Sequence, residues 1–295
     1  MNSLAGTLLL VFSTAVWGIS GVCGQYLFET WHPDPTWLIM VRQLVAGLIF
    51  LCLIAVRRKE PFFGVWRSGT VVVREMVLFT LGLLGAQYGF YMGISLSNAP
   101  TATVLIYTEP VFILLYQLLF QHIRPDGKEL LGIALAIGGV FLICTHGNPG
   151  NLVLSLQALA WTLVSAVSMA VYSICPTHLM KQFSSGYIIG WGQFLAGAIL
   201  LPFCNLFESG ASAWPLPAVG AMAYIIVLGT VIPFVTYLMG LKIVGPVHAA
   251  LISCCEPLCS ILFSVCFLGT VLQLPDYVGM ACVIATVLLL AIPRK

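Results

Sequence analysis

Apolar runs separated by short polar breaks succeed one another along the chain. Runs of about 20 residues, each able to cross a hydrocarbon core of about 30 Å as a helix, recur along nearly its whole length. Ten are predicted, at roughly 4–28, 36–56, 74–96, 99–121, 128–145, 153–176, 185–207, 217–240, 245–268 and 276–293. Apolar and polar positions do not alternate as the strands of a membrane barrel require, so helices must satisfy the backbone. The first run lacks the basic start of a signal peptide, exceeds the length of its apolar core and carries Trp17 and Tyr26. It reads as a retained helix.

Composition narrows this picture. Hydrophobic residues make up 60% of the 295 and charged residues 7%, which leaves no room for a sizeable aqueous domain. The few charges are informative by position. Arg57, Arg58, Lys59, Arg67 and Arg74 follow the second run, Arg124 and Lys128 the fourth, Lys181 the sixth, Lys242 the eighth, and Arg294 and Lys295 the tenth. The alternate connections hold Glu29, Asp34, Glu208 and Asp276 and no Lys or Arg. Positive residues mark the cytoplasmic side, so both termini are expected there, in a multi-pass protein of the cell's inner membrane. The net charge of +2 is then a product of topology and gives no reason to expect a nucleic-acid partner. All ten cysteines fall in or at the ends of the runs, which argues against a disulfide framework. Cys254, Cys255 and Cys259 have no second Cys or His group at ligand spacing and read as helix-packing residues, so neither a metal nor another cofactor is expected.

The chain also resembles itself. Shifted by 147 positions, Gly82 falls on Gly229, Gly93 on Gly240, Ala102 on Ala249, Glu109 on Glu256, Pro110 on Pro257 and Gly132 on Gly279 without a gap. A weaker match pairs "STAVWGIS" (13–20) with "SAVSMAVY" (165–172) at another offset. Two units follow, residues 1–147 and 148–295, of five helices each. Because five is odd, the second unit enters the membrane from the opposite face. The predicted fold is therefore an all-α integral membrane protein of ten transmembrane helices in two inverted five-helix repeats, a plan in which transporters place substrate at the midplane between the halves.

The residues carry a family resemblance as well. "VWGISG" (16–21), the pair "APTATVLIYTEPVFILL" (99–115) and "GPVHAALISCCEPLCSIL" (245–262), and the trailing "ELLGIALAIGGVFLI" (129–143) and "DYVGMACVIATVLLL" (276–290) resemble the two repeats of EamA-type carriers of the drug/metabolite transporter superfamily. Many members carry a Gly-Glu after the fourth and ninth helices; this chain has "FQHIRP" (120–125) and "FLGTVL" (267–272) instead, so no role for such a glutamate carries over. The resemblance implies a ten-helix carrier of a small organic metabolite, often an amino acid or a related compound.

Glu109 and Glu256 stand out on physical grounds. Each lies about ten residues into its run, and an ionised acid at the bilayer centre costs roughly 2.5–3.5 kcal/mol even on the lenient insertion scale, so each needs neutralisation, a partner or a wet cavity. Both are candidate proton carriers; the structural alternative is that they help satisfy backbone groups freed at Pro110 and Pro257, which read as helix kinks. Helical spacing puts Ser253 on the Glu256 face, and His248 two turns earlier is either part of a proton path or an interfacial residue. Arg42, inside the second run, either snorkels to the outer surface or faces the cavity, there to pair with a glutamate or a substrate carboxylate. Trp17, Gln87, Tyr88, Tyr91, Tyr107 and Tyr172 offer rings and an amide for an aromatic or ammonium-bearing substrate, or simply pack. Gly18, Gly21 and Gly24, and Gly85, Gly89 and Gly93, form ladders for close helix packing, within the chain or in a homodimer. A proton-coupled secondary carrier of an amino acid or related amine is the leading reading, with protons, substrate and lipid as partners and with a facilitative exchanger or channel-like pore as the alternative. No Gly-rich loop ending in Lys supports ATP-driven transport, and no metalloprotease motif supports an enzyme.

Overall fold

Backbone in lipid must close its hydrogen bonds internally, and the computed structural model is accordingly helical, with no strand among the residues it describes, 3–57, 60–148, 150, 152–174, 178–204 and 214–291. Arg58, Lys59, Cys175, Glu208, Arg294 and Lys295 lie outside them. The helices are α1 Ser3–Trp31, α2 Pro35–Arg57, α3 Thr70–Leu96, α4 Ala99–Ile106, α5 Glu109–Phe120, α6 Gly127–Thr145, α7 Leu156–Ile174, α8 Leu179–Gln182, α9 Ser185–Leu200, α10 Leu216–Ile226, α11 Ile232–Val244, α12 Pro246–Ser253, α13 Cys255–Leu268 and α14 Leu274–Leu290. Among the described residues nine segments are long and apolar enough to cross a membrane, and α14, at 17 residues, is shorter.

Local chemistry sets the boundaries. Asn98 opens α4, its side-chain oxygen accepting from the Thr101 amide at 2.8 Å, with Pro100 in the first turn. Asp126 and Glu129 close a reciprocal capping box at the start of α6, and Gln273 with Asp276 one at the start of α14. Gly245, at φ +82°, ends α11 in a conformation that side-chain-bearing residues seldom adopt. Three of the apolar runs are not continuous α-helix. The fourth is divided into α4 and α5 at Tyr107–Thr108, the ninth into α12 and α13 at Cys254, and the eighth carries a π-helical turn, Val227–Val231, between α10 and α11.

The helices pair in a reciprocal pattern. α3 lies along α7, α1 along α10 and α11, α2 along α9, and α6 along α14, while α1 also packs on α13 and α7 on α4 and α5. Small residues make the closest approaches. Gly139 faces the Gly279 carbonyl and Gly279 the Gly139 carbonyl, and the Thr286 hydroxyl donates to the Gly132 carbonyl at 3.0 Å. Both glycine ladders serve packing inside the chain: Gly85 and Gly93 meet Ser168 and Thr162 of α7, and Gly18 meets the Glu256 carbonyl. Trp37 is buried edge-on against Trp214, with ring centroids 5.6 Å apart.

Polar ties hold each end of the bundle. At the end formed by the 32–34, 97–98 and 269–273 connections, the buried Gln25 side chain donates to Glu29 at 2.7 Å and to the Thr270 hydroxyl at 2.9 Å. Its carbonyl oxygen accepts from the Ala99 amide at 2.9 Å and from the Ser264 hydroxyl at 2.8 Å. His146 Nε2 lies 2.8 Å from Asp276 at the same end. At the other end Glu75 accepts from the backbone amides of His178 and Leu179, both at 2.8 Å, and fixes the start of the short α8.

Candidate functional site

Glu109 and Glu256 occupy the same place in two interrupted segments, each in the first turn of the second half-helix and each followed by proline. Proline is tolerated there because a first-turn amide has no intrahelical partner. The consequence falls four residues earlier: without N–H groups at Pro110 and Pro257, the carbonyls of Ile106 and Ser253 lose their helical donors. The segments are thus broken rather than only bent, and the breaks precede the prolines by two or three residues.

The two breaks meet. Tyr107, at the first break, points its hydroxyl to the Ser253 carbonyl at 2.7 Å and to Glu256 Oε2 at 3.1 Å. The orphaned carbonyl of the ninth run is satisfied by a side chain from the fourth, and the same hydroxyl touches the carboxylate. Around it the Ser253 hydroxyl donates to the Ala249 carbonyl at 2.9 Å and lies 3.4 Å from the Tyr237 hydroxyl. The Tyr237 ring centroid lies 5.2 Å from that of Trp17, which also meets Phe234 edge-on at 5.3 Å. Gly18, next to Trp17, lets α1 approach the backbone at Glu256; a methyl at that position would collide with the Glu256 carbonyl. Glu256 itself is half-buried.

Glu109, also half-buried, accepts a hydrogen bond from the Ser173 hydroxyl of α7 at 2.8 Å. The glutamates share no hydrogen bond with each other, but Tyr172 and Tyr237 lie within electrostatic range of both. The structure thus brings Glu109, Glu256, Tyr107, Ser253 and Trp17 into one neighbourhood, joined by Tyr172 and by Tyr237, which the sequence reading did not single out.

Arg42 is buried and does not snorkel to the surface. Its Nε donates to the Thr230 hydroxyl at 2.8 Å and its Nη2 to the Gly229 carbonyl at 3.3 Å, while the guanidinium lies over the Tyr91 ring, 4.9 Å from the centroid. Both acceptors belong to the π-helical turn, where the Thr230 hydroxyl itself donates to the Ile225 carbonyl five residues back at 2.9 Å. A π turn displaces carbonyls from the regular ladder, and Arg42 holds the displaced groups. Glu256 is within its electrostatic range, yet no ion pair joins them. Tyr91 in turn lies 3.4 Å, hydroxyl to hydroxyl, from Ser20.

Other expected residues lie apart from the glutamates' contacts. The Tyr88 hydroxyl lies 3.0 Å from that of Thr36 and its ring meets Trp161 edge-on. Gln87 is buried with its carbonyl oxygen unpaired, and His248 is exposed on the first turn of α12. Two residues besides Tyr237 escaped the sequence reading. Gln43 and Gln193 are fully buried, and neither polar atom of either has a partner. The signal was present as "QLVAG" (43–47) and "QFLAG" (193–197), a match at an offset of 150. Gly47 of the first meets the Phe194 backbone, and Gly197 of the second meets that of Leu44.

Comparison with known proteins adds independent findings. The model of the EamA-like transporter family matches the chain twice, at residues 4–145 and 156–292. The chain is 34% identical to the Uncharacterized inner membrane transporter YicL of Salmonella typhimurium, over 98% of this chain and 96% of the relative. It is 22% identical to the Uncharacterized inner membrane transporter YedA of Escherichia coli K12, over 95% and 88%. A "Probable terminal-alkyne amino-acid exporter" of Streptantibioticus cattleyicolor is 27% identical over 47% of this chain and 46% of its own. A solved crystal structure of a protein only 17% identical shares the fold, with a TM-score of 0.65 over 98% of this chain and 97% of the other.

Proposed function

Since the chain belongs to the EamA-like transporter family, we propose that it is a secondary carrier moving an amino acid or a related amine-bearing metabolite, coupled to protons through Glu256 and Glu109. It is a multi-pass protein of the inner membrane, and a transporter rather than an enzyme. The observation that carries the mechanistic reading is the tie of Tyr107 to the Ser253 carbonyl and to Glu256, which sets a titratable group at the contact between two broken helices. Broken helices offer backbone groups to a substrate, and an intramembrane acid takes up or releases a proton as water reaches it. The aromatic rings of Trp17, Tyr172 and Tyr237 beside the two acids suit an ammonium group and its organic body.

Ten spans in two inverted repeats, residues 1–147 and 148–295, give this site its alternating access. The reading is supported by the double match of the family model and by contacts that exchange in pairs. Gly139 meets Gly279, and their counterparts at the 147 offset, Thr286 and Gly132, meet as well. Cytoplasmic termini follow from the distribution of Lys and Arg.

Purified protein in proteoliposomes, probed with labelled amino acids and amines under an imposed pH gradient, tests the proposal. Saturable, trans-stimulated uptake is expected, with Glu256→Gln and Glu109→Gln abolishing gradient-driven movement while exchange survives. Full gradient dependence in both variants would falsify the coupling assignment. Flux that does not saturate would mark a channel-like pore.

A further inference from the structure

Tyr107 has one proton and two acceptors. Its hydroxyl lies 2.7 Å from the Ser253 carbonyl and 3.1 Å from Glu256 Oε2, so it serves one of them fully at a time. The Ser253 carbonyl needs this donor because the residue four positions on is Pro257.

From this geometry we infer that Tyr107 is the positioning residue that converts the protonation state of Glu256 into the presence or absence of a tie between the fourth and ninth runs, a role that rests on the proton-carrier reading above. With Glu256 protonated, every group is served: the carboxylic O–H donates to the tyrosine oxygen, and the tyrosine O–H donates to the Ser253 carbonyl. When the proton leaves to water, the carboxylate becomes the stronger acceptor, since hydrogen bonds to ionised groups are about twice as strong as neutral ones. The tyrosine proton then turns to Glu256, the Ser253 carbonyl is released, and the end of α12 is freed from the fourth run. The relation is one-sided: at the 147 offset Tyr107 falls on Cys254, whose thiol is only a weak donor. Among the described residues, the titratable and charged groups within electrostatic range of Glu256 are Arg42 of α2, Tyr91 of α3, Tyr107, Tyr172 of α7, Tyr237 of α11 and Cys259 of α13 itself. Among them only Tyr107 reaches the carboxylate with a hydrogen bond. Arg42, the one fixed cation among these groups, is held by Thr230 and Gly229.

Hydrogen–deuterium exchange of the amides of residues 248–256, on the full chain in nanodiscs, is the test, with infrared titration following the Glu256 carboxyl. In the wild type, exchange should quicken about three- to tenfold, the factor one hydrogen bond carries, as Glu256 loses its proton. Tyr107→Phe should exchange at the faster rate at every pH, and Glu256→Gln at the slower rate, because its amide donates to the tyrosine oxygen. Pro257→Ala restores an N–H to the Ser253 carbonyl, so it should lose the pH step and stay slow, and it answers the question even where Tyr107→Phe does not fold. A wild-type step in Tyr107→Phe or in Pro257→Ala overturns the role of Tyr107 and leaves Glu256 as carrier. A step that persists in Glu256→Gln overturns the carrier assignment itself.

Discussion

At the scale of single residues, the buried arginine shows how far an ionisable group's chemistry can be read from a sequence. Arg42 is the only basic residue inside an apolar run away from its ends, and sequence reasoning offered it the lipid surface or a carboxylate. Neither course foresaw the π turn, because a one-residue widening of α-helix leaves no periodic trace in hydrophobicity. With that turn present, Nε and Nη2 have backbone and hydroxyl acceptors to serve, and Tyr91 supplies a ring face in place of a counter-ion. Two consequences separate this pin from a substrate clamp. Arg42→Lys should lower the stability of the substrate-free protein, since a lysine cannot reproduce the planar fork. A loss of about 1.5–3 kcal/mol is expected, the range for hydrogen bonds to charged groups, read as a lower thermal midpoint in detergent. Thr230→Val, which removes one acceptor, should give part of the same loss. If Arg42→Lys melts as the wild type does and only transport of carboxylate-bearing substrates suffers, the arginine is a clamp.

At the scale of elements, what the sequence disclosed and what it withheld divide along one physical line. The long apolar runs and their order were legible because lipid imposes a length of about 20 residues on anything helical that crosses it. The prolines of the fourth and ninth runs marked where helix could not continue, though the structure places the breaks ahead of them, at Tyr107–Thr108 and Cys254. That Glu109 and Glu256 hold equivalent places in two interrupted runs was legible from their duplication. Which side chain would bridge the breaks was not, for a tyrosine in an apolar run looks the same whether it packs or donates. The α1 helix shows the same limit. "VWGISG" announced close packing without naming the partner, and the partner is the backbone at Glu256. Enlarging Gly18 to leucine should therefore do more than overpack. It should destabilise the fold by about 1–3 kcal/mol or more, as overpacked cores do, and push α1 off the start of α13. Gly138, whose added Cβ would meet nothing, is the control that should accept leucine with little change in melting temperature.

At the scale of the whole molecule, the proposed two-fold relation is informative where it fails. α4 and α12 are counterparts, yet all eight residues of α4 are buried, whereas His248 and Leu251 of α12 are exposed. The ties at the ends explain the difference. Gln25 joins the first amide of α4 to Ser264 and Thr270, closing the end of the bundle where α4 begins and α13 finishes. At the 147 offset Ala99, Ser264 and Thr270 fall against Pro246, Gln117 and Ile123. A proline has no amide to offer, so the same latch cannot be built where α12 begins. The two ends therefore differ at the broken helices: α4 is tied at its first amide by a buried side chain, whereas α12 begins on a proline and has no such tie, the polar contacts at its end joining α3 to α8 instead. In the proposed orientation the latched end faces outward, and the exposed His248 of α12 lies toward the cytoplasm. Cysteine labelling with a membrane-impermeant maleimide measures the bias expected of this difference, in a background where the exposed Cys52 and Cys266 are serine. His248→Cys should label readily in inside-out vesicles, and Ala99→Cys should be protected in right-side-out ones. Adding Gln25→Ala, which removes several hydrogen bonds at once, should raise labelling of Ala99→Cys by about tenfold or more and slow that of His248→Cys, because opening one end closes the other. Equal labelling at the two positions with Gln25 intact would show that no such bias exists, and a Gln25→Ala variant that changes both rates in the same direction would mean the amide stabilises the fold without choosing between its states.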